Sequence, residues 1–332
     1  MAHTIGGTVE TAGTRRFRIL SLDGGGIRGI ITAVWLQELE RRLGGTLRDH
    51  FDLVAGTSTG SLLACGVGLG MSAAEIVELY KRRGREVFPP AVARLWSRFV
   101  RTFHDGMSAP RYDGEGLEAV LKDTFGSRLF AAVKPRVMVT SYNTLTRAAV
   151  VFKSWDGPWD QVPIWEVCRS SAAAPVYFPA HIAHIDGADC PLIDGGVVAN
   201  NPTVCAIAEG VRMNGDGNGP GLSDFVIASF GTGELTRPIE VSEARKWGAL
   251  QWAIPIIDVL FDGAADSTHY CAMQLVPDGR YFRFQTPLHE AYDDMDNADA
   301  TNVNALVLAA QRHLDAEGGG RVMDDLVPLL RR

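Results

Sequence analysis

A serine flanked by a glycine two residues to either side, Gly56-Thr57-Ser58-Thr59-Gly60, follows the apolar run Phe51-Asp52-Leu53-Val54-Ala55 and leads into Ser61-Leu62-Leu63-Ala64. A turn of that kind lifts the serine hydroxyl clear of a sheet, because Gly56 and Gly60 let strand and helix backbones approach closely, and Ser58 is the candidate nucleophile. A serine hydroxyl needs a group to take its proton and donors to hold the oxyanion that its attack creates. Two further stretches offer both. Asp23-Gly24-Gly25-Gly26-Ile27-Arg28-Gly29 follows the apolar run Arg18 to Leu22, and the amides of Gly24, Gly25 and Gly26 at a helix start can bind developing negative charge. Far downstream, Pro191-Leu192-Ile193-Asp194-Gly195-Gly196 ends an apolar run on an acid, which makes Asp194 the candidate proton acceptor.

These matches differ in weight. With 36 glycines in 332 residues, a Gly-x-Ser-x-Gly arises by accident in roughly one chain in five. Asp-Gly-Gly-Gly-x-x-Gly arises in roughly a few per thousand, so the glycine loop discriminates.

The elements that must position these residues read as alternating strands and helices. Strand Arg18 to Leu22 is followed by helical spacing from Ile30 to Leu43, stopped by Gly44-Gly45; the strand and helix around Ser58 come next. Buried strands alternating with helices imply a single α/β domain of three layers around a central, mostly parallel sheet. Ser72 to Val87 opens on a capping box with Glu75. Residues 92–103 place Val92, Leu95, Trp96, Phe99, Val100 and Phe103 on one helical face; with Lys81, Arg82, Arg83 and Arg85 nearby, segment 84–112 reads as a lid, a surface for anionic lipid, or an ordinary packed helix. Paired strands are expected at 136–142 and 148–153, a short helix at 167–174, a helix from Asn200-Asn201-Pro202 to Met213, and a strand at 225–230. A helical region from Trp247 to Leu275 should break at Pro255, ahead of a strand at 280–284 and a closing helix at 302–314.

Composition bounds the function. An apolar fraction of 46% and a charged fraction of 21% are those of a globular protein. A net charge of −7 argues against binding nucleic-acid polymers. Five scattered cysteines without Cys-x-x-Cys spacing read as reduced core thiols. Residues 1–16 form a loose arm with no apolar leader, and no run approaches the roughly 18 apolar residues that span a bilayer. The expectation is a cytoplasmic protein whose membrane contact, at the inner face, is peripheral.

The three stretches in this order resemble the patatin-like acyl hydrolase and phospholipase family. The resemblance covers residues 17–285 and extends to Asn200-Asn201-Pro202, to Asp258–Leu275 and to Tyr281-Phe282-Arg283-Phe284-Gln285. Residues 286–332 are expected to pack on the same domain as a helical extension. The resemblance implies a Ser58–Asp194 dyad without histidine, an oxyanion hole of glycine amides, and phospholipid acyl esters as substrates, with no cofactor and no metal. Arg28, Gly29, Gly56, Gly60, Gly195 and Gly196 support the motifs, and Asp23 reads as a turn cap. Some bacterial members are switched on by cyclic nucleotides in anti-phage signalling, so a cyclic-nucleotide activator is a candidate partner.

Other readings compete. Asp186-Gly187-Ala188 and Asp262-Gly263-Ala264 repeat the acid motif, Asp186 in a loop and Asp262 at a helix end. A Ser-His-Asp esterase or thioesterase of small acyl substrates would draw on His269 or His289. A dinucleotide fold could own Gly24-x-Gly26-x-x-Gly29, though Asp23 would repel a pyrophosphate. His181 and His184 lack a third ligand for a metal. A lipid-binding scaffold without catalysis would keep the fold and lack turnover.

Overall fold

Strands form where apolar and β-branched residues run unbroken between turns. The computed structural model describes residues 16–90, 109–185, 187–213, 221–252 and 255–331. Among them eight strands make one mixed sheet: β1 (Phe17–Leu22), β2 (Leu53–Thr57), β3 (Arg136–Asn143), β4 (Ala148–Lys153), β5 (His181–Ile185), β6 (Ala188–Asp194), β7 (Phe225–Phe230) and β8 (Tyr281–Phe284). Their order is β5-β6-β3-β2-β1-β7-β8, with β4 also pairing β3. The centre, β3-β2-β1-β7-β8, is parallel throughout, whereas the pairings of β3 with β4, β3 with β6 and β5 with β6 are antiparallel.

The helices are α1 (Gly29–Leu43), α2 (Thr59–Leu69), α3 (Ala73–Val87), α4 (Glu115–Phe125), α5 (Ile164–Ser171), α6 (Gly196–Ala199), α7 (Thr203–Arg212), α8 (Val241–Ala244), α9 (Ala249–Trp252), α10 (Pro255–Leu275), α11 (Ala300–Asp315) and α12 (Gly319–Leu330). Alternation along the strands sends side chains to both faces. Leu20, Leu22 and Val54 join the larger core with α1, α2 and α3, while Ile19, Leu53 and Ala55 face α7 and the end of α10 through Ile207 and Ala272. Helices cover both faces, so the sheet is the middle of three layers. The C-terminal helices α11 and α12 pack on α1, and Trp35 Nε1 donates to the Ala310 carbonyl at 2.9 Å.

Local signals decide most boundaries. Ser72 Oγ accepts the Glu75 amide at 3.2 Å, and the Glu75 carboxylate accepts the Ser72 amide at 2.8 Å, closing the capping box of α3. The expected break at Pro255 adjoins residues 253 and 254, which lie outside the described residues. The short helix α5 starts three residues before the expected Val167, after Pro163, and ends at Ser171. Asp262 sits inside α10 and not at a helix end.

The basic reading of α3 needs correction. Lys81 and Arg82 pair with Glu78, Arg83 with Glu86 and Asp123, and Arg85 with Asp299. Those cations are matched within the protein. The expected helix at 92–103, most of the 84–112 lid and Asp186 lie outside the described residues. Of the cysteines, Cys65 and Cys168 are buried and Cys271 is exposed, so the five are not all core thiols.

Candidate active site

The meeting of Ser58 with Asp194 is a matter of strand register. Along β3, Thr140 pairs with Thr57 of β2 and with Val151 of β4, while the next residue, Ser141, pairs with Asp194 of β6 and with Val150 of β4. β4 therefore holds one edge of β3, and β6 takes over the other edge where β2 leaves it. Ser58 departs from the sheet at the point where Asp194 arrives. Ser58 Oγ donates to Asp194 Oδ2 at 2.7 Å across 136 positions of sequence.

The turn holding Ser58 is strained. Its φ of 53° and ψ of −121° lie in a region that costs of order 1–3 kcal/mol for a residue with a side chain. Its amide donates to Ser171 Oγ at 2.8 Å, which helps to hold that geometry. Only glycine fits beside it. A side chain on Gly56 would collide with the Gly60 backbone, and one on Gly60 with the Leu22 carbonyl at the end of β1. The nucleophile turn and the glycine loop are thus pressed directly together.

Asp194 is fully buried. Oδ1 accepts the Gly196 amide at 2.7 Å, and Oδ2 takes the serine hydroxyl. Burial pushes its carboxyl up to about 7, against the pull of those two bonds. A carboxylate with that proton affinity can accept a proton near neutrality and return it, which an exposed aspartate does poorly. Gly195 lies against Thr140 and Gly196 against the Phe261 ring.

In the glycine loop, the Gly24 amide is committed to the Asn200 carbonyl at 3.1 Å, so Gly24 is not free to act as an oxyanion donor. Among the described residues no partner accepts from the Gly25 or Gly26 amides. Gly26, with φ of 60°, turns the chain at this point, and its Cα sits close to the Met295 carbonyl. Arg28 is buried, and its Nε donates to the Gly25 carbonyl at 3.4 Å, which braces the loop from behind. Gly29 lies against Thr59 and Tyr80.

Asp23 does not cap the turn. It is buried and its Oδ2 accepts from Arg283 Nη2 at 2.5 Å, while Arg283 Nη1 donates to Ser229 Oγ at 3.0 Å. That ion pair bolts the start of the glycine loop to β7 and β8. Sequence reasoning missed Ser171 and gave no role to Asn200 or Arg283, which stand only within the stretches that carry the resemblance, since nothing local marks a group that acts across the sheet.

The described histidines lie elsewhere. His269 Nδ1 is 3.0 Å from the Tyr281 hydroxyl, His289 pairs with Glu317, His181 with Glu166 and His184 with Asp189. Among the described residues no imidazole stands between Ser58 and Asp194. Among the described residues no group of three or more His, Cys, Asp or Glu could hold a metal, and no helix is long and apolar enough to cross a membrane. Beside Ser58 and Asp194 lies an apolar cavity between α3 and α4, lined by Leu62, Leu117 and Leu121 among others.

A profile of the family described as patatin-like phospholipase matches residues 20–207, more than half of the chain, and takes in the glycine loop, the serine turn and Asp194. The chain belongs to the patatin-like phospholipase family. It is a lipid acyl hydrolase family of esterases. This patatin-like chain is similar over nearly its whole length to plant proteins. Patatin-like protein 1 from Oryza sativa subsp. indica is 29% identical over 95% of this chain and 85% of its own. Patatin-like protein 1 from Arabidopsis thaliana is 28% identical over 89% and 81%. A Solanum tuberosum relative named probable inactive patatin-3-Kuras 1 is 27% identical over 97% and 88%. The solved structure of VipD from Legionella pneumophila matches 56% of this patatin-like chain and 46% of its own, at a TM-score of 0.34 and 15% identity.

Proposed function

We propose that this protein is a phospholipase A type hydrolase that cleaves fatty-acyl esters of membrane phospholipids through a Ser58–Asp194 dyad. The observation that carries the reading is the 2.7 Å bond from the serine hydroxyl to a fully buried carboxylate, at the mouth of an apolar cavity. Family membership alone would not suffice, because one relative bears the name probable inactive.

In the proposed reaction Asp194 takes the Ser58 proton as Oγ attacks the ester carbonyl. The Gly25 and Gly26 amides receive the oxyanion. As the tetrahedral intermediate collapses, Asp194 protonates the departing lysophospholipid oxygen and leaves an acyl-serine; it then deprotonates a water that releases the fatty acid. The bilayer is reached from its surface. Fatty-acid release from phosphatidylcholine vesicles tests the reading: wild type should turn over, while Ser58→Ala and Asp194→Asn lose at least about 10³-fold in kcat. Wild-type rates in either variant would remove the dyad. By resemblance the proposal extends to activation by a cyclic di- or trinucleotide in anti-phage defence. Vesicle hydrolysis that is high without nucleotide and indifferent to every one added would remove that role.

A further inference from the structure

Two side chains are common to the apolar cavity and to the outer surface. Leu79 and Arg83, on the face of α3 turned toward α4, line the cavity that starts at Ser58, and the same two side chains line a separate groove on the outer surface between α3 and α4. They are the partition between an interior tunnel and solvent. Arg83 is held across it: Nη2 lies 2.6 Å from Glu86 Oε2 on its own helix and 3.0 Å from Asp123 Oδ2 on α4. Its charged head is tied to those two carboxylates, and a long cation at an apolar boundary keeps its stem on the apolar side and its head in water.

We propose that Leu79 and the Arg83–Asp123 pair form a stop that sets the longest acyl chain this enzyme accepts, an inference that rests on the hydrolase reading above. A fatty-acyl chain attached to Ser58 gains from each methylene it buries in the tunnel. At Arg83 the gain ends. A longer chain must displace a paired guanidinium or fold back on itself, and beyond the partition it meets a groove edged by Glu75, Glu78 and Asp123. Asp123 is exposed and Arg83 half-buried, so the pair is weakly held and its removal should leave the fold intact.

The test is a series of p-nitrophenyl esters from butyrate to stearate, reported as the ratio of kcat/KM for successive chain lengths. Wild type should show a sharp fall beyond one length. Arg83→Ala and Leu79→Ala should move that fall to longer chains, raising the long-to-short ratio by about fourfold for each additional methylene admitted. Asp123→Asn, which leaves the guanidinium to Glu86 alone without altering the tunnel wall, should shift it in the same direction by less. An unchanged profile in Arg83→Ala and Leu79→Ala, with wild type active, overturns the stop and leaves the hydrolase reading standing. Absence of turnover by wild type on every ester and on vesicles overturns both.

Discussion

Replacing Asp194 by asparagine should make the protein more stable as it abolishes catalysis. The fold raises the proton affinity of this carboxyl from the ordinary 3.8 to about 7, because the cost of burying its charge exceeds what the Gly196 amide and Ser58 hydroxyl return. The unfolded chain ionises this group from about pH 4 upward. The folded chain keeps it neutral until pH approaches 7, so the wild type loses stability across that interval and nothing further above it. About three powers of ten in proton affinity, at about 1.36 kcal/mol each, set the most that the charge can cost at about 4 kcal/mol. Asparagine keeps the shape, can still accept the Gly196 N–H, and never ionises. Urea unfolding should therefore find the variant matched with wild type near pH 4 and ahead by up to about 4 kcal/mol near pH 8. With a slope of about 3 kcal/mol per molar urea or more, that is a midpoint shift of about 1 M. The same group should set the acid limb of wild-type kcat/KM, with activity rising through about pH 7 as Asp194 loses its proton. A variant no more stable than wild type near pH 8, or a gain of equal size near pH 4, would refute a buried ionising carboxyl.

Three further outcomes test neighbouring parts of the site. Ser58→Gly removes the nucleophile and relieves the turn, whereas Ser58→Ala removes the nucleophile alone; thermal unfolding should place the glycine variant about 1 kcal/mol above the alanine variant, and equal stabilities would mean that the turn stores no strain. Gly25→Ala drives a methyl into the Thr232 hydroxyl and displaces the loop; kcat for vesicle hydrolysis should fall by about 10²–10³, and a loss of only a few-fold would remove these amides from the oxyanion site. Arg283→Gln leaves Asp23 buried without its cation; the expected cost is about 3–5 kcal/mol in chemical denaturation, partly recovered by adding Asp23→Asn, and a cost under about 1 kcal/mol would show that the pair does not anchor the loop.

The chemistry of each motif is legible in the amino-acid order because it is local. Unbroken apolar runs before Gly24, Ser58 and Asp194 become strands, and glycines follow where backbones must turn or touch. Ser72 with Glu75 announces a helix start. What the chain order does not express is where these pieces meet. Whether Asp194, Asp186 or Asp262 faces Ser58 depends on β3, whose single edge is shared in sequence by β2 and β6 so that Thr57 and Asp194 occupy consecutive positions along it. The same holds for Arg283, 260 positions from the Asp23 it neutralises, for the Gly24 amide spent on Asn200, and for Arg83 and Arg85 of α3, which meet Asp123 and Asp299. Residue types and their spacing determine strands, turns and the reactions they permit. Ladder register and burial, which belong to the whole packed chain, decided which acid stands beside the serine and how strongly that acid holds a proton.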